Sequence, residues 1–166
     1  MNRVLEDQSL KLKDYLNEEL AIYRELLGLS KKKQKVLMER FSTDLLHIVG
    51  EEEKQIQKLA EIEEKRIQCV EKITGKPHTS LDELVENISD TIVKSDIWML
   101  ANQLKDVLAE IQSINSRNQK LLEQALELTQ YSISLLTTPP REVTYRAPGS
   151  SSKGPQPIPT LIDRKA

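Results

Sequence analysis

The side chains of this sequence that could do chemistry are few and scattered. His47 and Glu51 stand four residues apart, a spacing that can place two metal ligands on one face of a helix. A closed metal site needs two further ligands, and no nearby stretch supplies them distinctly. A di-iron bundle requires Glu-x-x-His on two helices, and neither His47 nor His78 has a Glu three residues before it. Cys69 lies among Arg66, Gln68 and Glu71 with no histidine in local reach, so it reads as a small packing residue rather than a nucleophile. The five glycines (Gly28, Gly50, Gly75, Gly149 and Gly154) are too far apart to form a phosphate-binding loop. The expectation is therefore no catalysis, no metal and no cofactor.

Three other features invite a binding role. The basic run KKKQK at 31–35 could meet phosphate or an acidic partner. No aromatic residue interleaves with it as a nucleic-acid platform requires, so a solvated helix face is the plainer reading. Trp98 is the single tryptophan and is expected either in the core at the start of the last helix or at a partner contact. Asn115 and Asn118 are less ordinary, because both fall in an apolar seam. Leu104, Leu108, Ile111, Asn115, Asn118, Leu122, Ala125, Thr129, Ser132 and Leu136 alternate by four and three, the heptad of a coiled-coil seam. A buried amide costs stability unless it finds a partner. It can fix register in a coiled coil, or it can mark a seam left open to another molecule.

Helices must position these residues. Hydrophobic residues make up 38% and charged residues 30% of the 166, a composition that suits helices with a narrow apolar stripe better than a thick core. A net charge of −2 gives no basic field to draw in nucleic acid or an anionic membrane. The lone cysteine fits a reducing compartment. No apolar stretch approaches the roughly 20 residues of a membrane span, and residues 1–16 lack the apolar core of a signal peptide. These features together predict a soluble cytoplasmic protein.

Proline and glycine divide the chain. Proline is absent before Pro77 and between Pro77 and Pro139. The stripe Leu12, Leu16, Leu20, Tyr23, Leu27, then Leu37, Phe41, Leu45, Ile48, and later Ile56, Leu59, Ile62, Val70 and Ile73, predicts one helix over about 3–74. A break near Gly28 or Gly50 is the lesser alternative, since each costs only about 1 kcal/mol against alanine. Gly75 suits a C-terminal cap, and Ser80-x-x-Glu83 has the spacing of a capping box. A short helix over about 80–94 follows, then Ser95 or Asp96 as a second N-cap and a long helix over about 96–137. The expected fold is all-α: an elongated antiparallel hairpin or three-helix coiled-coil bundle over 1–137. The remainder, 138–166, is a Pro/Gly/Ser-rich tail expected to be disordered. Within it, 143–145 and 158–162 are apolar islands of the kind that serve as docking segments.

Several motifs in this order resemble the FlgN family of flagellar export chaperones. They are Asn115-x-x-Asn118-x-x-Leu121-Leu122 late in the last helix and Tyr145-x-x-x-Gly149 in a Pro-containing tail. LNEELAIYRELLGLSKKKQKVL near the N-terminus and EEEKQIQKLAEIEEKRIQ further on are also similar to the family. The resemblance implies a small cytosolic all-helical chaperone without catalysis. Its clients would be the hook-associated proteins of the hook–filament junction, whose C-terminal helices it masks. It would then deliver them to the cytosolic domain of the export gate. Client binding would fall on the last helix, at Asn115, Asn118, Leu121, Leu122, Ala125 and Leu128. Gate docking would fall on Tyr145 and Gly149, although Arg146 stands where family tails often have glycine. The resemblance involves no nucleic acid and no membrane insertion, and at most weak homo-oligomers. The competing expectation is a generic coiled-coil scaffold or adaptor, which would form a tight dimer and have a dispensable tail.

Overall fold

The computed structural model describes residues 2–39 and 43–137. Both apolar islands of the tail, with Tyr145 and Gly149, lie outside the described residues. Among the described residues, four helices follow in order: α1 Asn2–Met38, α2 Leu45–Thr74, α3 Leu81–Glu86 and α4 Thr91–Thr137. The protein is an all-α bundle in which α1 is the middle helix, with α2 on one flank and α4 on the other. Cross-helix bonds show the directions. Gln8 meets Cys69, Glu19 meets Arg66 and Lys33 meets Glu52, so α2 runs antiparallel to α1. Lys13 meets Asp96 and Ser30 meets Asn118, so α4 runs parallel to α1. The short α3 carries the chain from the end of α2 to the start of α4.

The expected single helix over 3–74 is two helices, and the turn falls between Met38 and Leu45 rather than at a glycine. Gly28 and Gly50 are both helical and face open space. The reversal lets α1 bury its apolar stripe against α2, which a continuous helix could not do. Ser-Thr-Asp at 42–44 is a helix-start signal. It is weaker than Gly or Pro because helix formers flank it on both sides.

The second turn is built as the sequence predicts. Gly75 ends α2 at φ 76°, a left-handed conformation that costs glycine nothing, and its N–H donates to the Glu71 carbonyl at 2.8 Å. Ser80 caps α3, its hydroxyl accepting the Glu83 N–H at 3.2 Å. The Glu83 carboxylate turns instead to Lys76, at 2.7 Å. The cap of α4 differs from expectation. Asp90 does that work, accepting from the N–H groups of Ile92 at 2.8 Å and Val93 at 3.1 Å. Ser95 and Asp96 lie inside α4, and Asp96 binds Lys13 of α1 at 2.5 Å. The helix expected over 80–94 is therefore only α3, and Ile92 is exposed rather than part of its buried stripe.

The core lies at the end of the bundle where α3 sits. Leu12, Leu16 and Leu20 of α1 pack with Val70 and Ile73 of α2, Leu84 of α3, and Ile97, Leu100 and Leu104 of α4. Each fully buried side chain of this size contributes roughly 1.5–3 kcal/mol. Cys69 is buried in the same cluster, and its thiol donates to the Gln8 side-chain carbonyl at 3.4 Å. Burial pushes the thiol pKa up, which suits packing and not nucleophilic attack.

Candidate functional site: the uncovered face of the last helix

Toward the other end the bundle thins, and α4 outruns its neighbours. Its buried positions are Val93, Ile97, Leu100, Leu104, Ile114 and Asn118, with Val107, Ile111 and Leu121 partly buried between them. The seam against α1 is thus 104–107–111–114–118–121, not the expected 104–108–111–115–118–122. The two stripes share 104, 111 and 118 and differ by one residue at the other three positions, so periodicity alone could not separate them. The two amides consequently part company. Asn115 is exposed. Asn118 is buried at 4% exposure, and its Nδ2 donates to the Ser30 carbonyl of α1 at 3.0 Å. Its Oδ1 is buried without a partner among the described residues.

Beyond Leu121 every residue of α4 is exposed. The segment 122–137 extends about 24 Å at 1.5 Å per residue. Leu122, Leu126, Thr129, Ile133 and Leu136 form one heptad stripe, and Leu121, Ala125, Leu128, Ser132 and Leu135 form its neighbour. Leu136 is 87% exposed, and Leu122, Leu126, Leu128, Ile133 and Leu135 are all exposed with it. Thr129 and Ser132 do not interrupt the face with polar demand. Their hydroxyls donate back to the carbonyls of Ala125 and Leu128, each at 2.9 Å. Glu127 is the only charged side chain between Glu123 and Thr137. Of the residues expected to bind a client, Leu121, Leu122, Ala125 and Leu128 stand on this face. Asn115 continues it toward Leu108, and Asn118 lies underneath, in the α1 seam.

A second feature lies at the core end. α2 and α4 do not pack against each other among the described residues, and a groove of about 730 Å³ opens between them above α1. Leu12, Leu16, Leu104 and Leu108 line it with Val70 and Leu84, and residues 77–79 also border it. On its lip, buried Glu19 accepts from Arg66 Nε at 2.7 Å, and Glu63 stands 3.6 Å from Arg66 Nη2. Burial holds the Glu19 carboxyl above the ordinary carboxylate range, while Arg66 pulls the other way.

The other sequence candidates resolve into ordinary roles. Lys31 and Lys33 of the basic run are not simply solvated. Lys31 pairs with Glu110 of α4 and Lys33 with Glu52 of α2, both at 2.7 Å, so the run ties α1 to both flanks. Trp98 is 45% exposed, on the outside of α4 and not in the core. His47 and His78 are exposed. Among the described residues, no group of three or more His, Cys, Asp or Glu side chains could hold a metal ion. None of the described helices is long and apolar enough to cross a membrane.

A bundle that leaves part of an amphipathic helix uncovered presents an apolar surface. The comparison with protein families agrees with that class. The chain belongs to the FlgN family, a family of flagellar export chaperones: the model of the FlgN protein matches residues 5–153. The match runs through all four helices and through Tyr145 and Gly149. No curated protein and no solved structure matches the chain.

Proposed function

We propose that this chaperone takes the hook-associated proteins of the hook–filament junction as clients and binds them along the α4 face that begins at Leu121 and Leu122. The observation that carries this reading is the uncovered, nearly uncharged apolar face over 122–137. A helix-in-groove partner needs apolar anchors at i, i+3, i+4 and i+7, and α4 supplies two adjacent stripes of them. Leu121, Leu122, Ala125 and Leu128 are contact residues. Asn115 stands at the near edge of the face, and Asn118 holds α4 to α1 just before the face begins. Masking the C-terminal helices of a client keeps them from associating early. Tyr145 and Gly149 then serve delivery, by docking on the cytosolic domain of the export gate. The site of action is the cytoplasm.

Light scattering on mixtures of this protein with full-length hook-associated proteins tests the reading. A 1:1 complex that is lost when the client's C-terminal helices are removed supports it. If no complex forms and the protein alone is a concentration-independent dimer, the exposed stripes pair with a second copy, and the molecule is a coiled-coil scaffold.

A further inference from the structure

The uncovered part of α4 consists of two ridges with a trough between them. Leu126 and Ile133 stand on one ridge, and Leu121, Leu128 and Leu135 on the other. Ala125, Thr129 and Ser132 lie along the trough, all three exposed, with Leu122 and Leu136 on the same line at its two ends. Residues two apart on a helix are about 200° apart around its axis, so Leu126 and Leu128 stand on opposite margins, about 160° apart across the trough. Resting on the client reading above, we propose that two helices of one client dock here together, one on each ridge, and complete a three-helix bundle with α4.

Three observations carry the assignment. The first is the placement of large and small side chains. In a two-stranded coiled coil, large apolar residues fill the central a and d positions and charged residues take the flanking e and g positions. Here the order is reversed, with aliphatic residues on the flanks and small ones in the centre. A single helix centred on the trough would meet Ala125, Thr129 and Ser132 and leave the ridge side chains wet at its margins. Two helices, each centred on a ridge, bury both. The trough makes no polar demand of its own, because the hydroxyls of Thr129 and Ser132 already donate to α4 carbonyls.

The second is continuity with the bundle. The seam against α1, 104–107–111–114–118–121, runs on in unbroken steps of four and three through 125–128–132–135. α1 ends at Met38, so the Leu128 ridge is the same seam without its helix. Ala101, Lys105, Leu108 and Gln112 line the groove together with Arg66 and Ile67 of α2. That line runs on by the same steps through 115, 119 and 122 to 126–129–133–136, the Leu126 ridge. Each ridge thus prolongs a side of α4 that faces another helix further down, α1 on one side and α2 across the groove on the other. The third is charge. Glu123 and Glu127 are the only charged side chains over 122–137, and both fall off the ridges, as do Gln124, Gln130, Tyr131 and Ser134. The client helices therefore meet α4 through aliphatic faces and need no ion pair to it.

Photo-crosslinking in the complex of the full chain with a full-length hook-associated protein tests the pair. The variants are Leu126→p-benzoylphenylalanine and Ile133→p-benzoylphenylalanine on one ridge, and Leu128→p-benzoylphenylalanine and Leu135→p-benzoylphenylalanine on the other. All four side chains are exposed, so the label replaces no core contact. Adducts are mapped by mass spectrometry. The two ridges should report two non-overlapping stretches of one client chain, and the two positions on each ridge should report sites about two turns apart. If all four positions report a single stretch of about 16 residues, the length of helix that 122–137 can cover, the pair is overturned and the client reading stands. Client adducts from one ridge alone have the same meaning. Adducts that join two chaperone chains, or no client adduct from any position, overturn the pair and the client reading together.

Discussion

At Asn118 a buried side chain satisfies one of its two polar ends. Its amide donates to the Ser30 carbonyl, and its own carbonyl accepts nothing among the described residues. The Ser30 carbonyl also lies within α1, where the helical ladder already supplies it a donor. Replacing Asn118 with leucine therefore removes an unsatisfied acceptor and orphans nothing. The expected result of urea unfolding is a gain of about 1 kcal/mol for Asn118→Leu. Asn115→Leu should stay within about 0.5 kcal/mol of the parent, because Asn115 is exposed. A loss for Asn118→Leu would mean that the Ser30 bond outweighs the orphaned carbonyl.

Glu19 makes a pH prediction at the same scale. Burial raises its folded pKa above the ordinary 4.5, so the folded chain binds this proton more readily than the unfolded chain. Its contribution to stability is complete below the unfolded value and is lost as pH rises through the folded value. Glu19→Gln keeps an acceptor for Arg66, which also has Glu63 within 3.6 Å. Comparing urea midpoints at about pH 7 and about pH 5, the parent should gain on the variant at the lower pH. A gap that does not change with pH would show that Glu19 keeps an ordinary pKa.

Among the elements, the glycines separate two kinds of backbone position. Gly28 and Gly50 lie inside helices with nothing within 4 Å of an added Cβ. Alanine at either should stabilise by up to about 1 kcal/mol, read as a shift in thermal or urea midpoint. Gly75, at φ 76°, should behave oppositely, and Gly75→Ala should destabilise by about 1 kcal/mol. The same contrast explains which elements were legible in the sequence. Gly75 and Ser80 carry local chemistry that fixes a cap wherever the rest of the chain goes, so that turn could be read directly. The reversal at 39–44 contains neither glycine nor proline, and only the packing of α1 against α2 requires it. The Asp90 cap was hidden by Ser95 and Asp96, which have the same capping chemistry a turn later.

For the molecule as a whole, the arrangement of unequal helices decides what is exposed. α1 is about 55 Å long and α4 about 70 Å, at 1.5 Å per residue. Since the two run parallel from nearby starts, α4 must project past its support. Lys31 with Glu110 and Lys33 with Glu52 fasten the end of α1 to both flanks; the first pair is exposed and worth only about 0–1 kcal/mol, whereas the second is part-buried. The helical class and the apolar character of 104–136 were readable from spacing alone. That residues 122–137 lack a cover was not, because their heptad looks the same whether a neighbour of the same chain or another molecule fills it. The register of the α1 seam was hidden for a related reason: Leu108 and Leu122 are as apolar as Val107 and Leu121.

The most direct measurement of the central claim is the affinity of a full-length hook-associated protein for Leu126→Glu and Ile133→Glu, read by calorimetric titration beside the unfolding midpoint of each variant. Both side chains are exposed, so stability should stay within about 0.5 kcal/mol of the parent. A charge placed in the face should weaken client binding at least tenfold, about 1.4 kcal/mol. Parental affinity in both variants, with the fold intact, would contradict the account and move client binding off the α4 face.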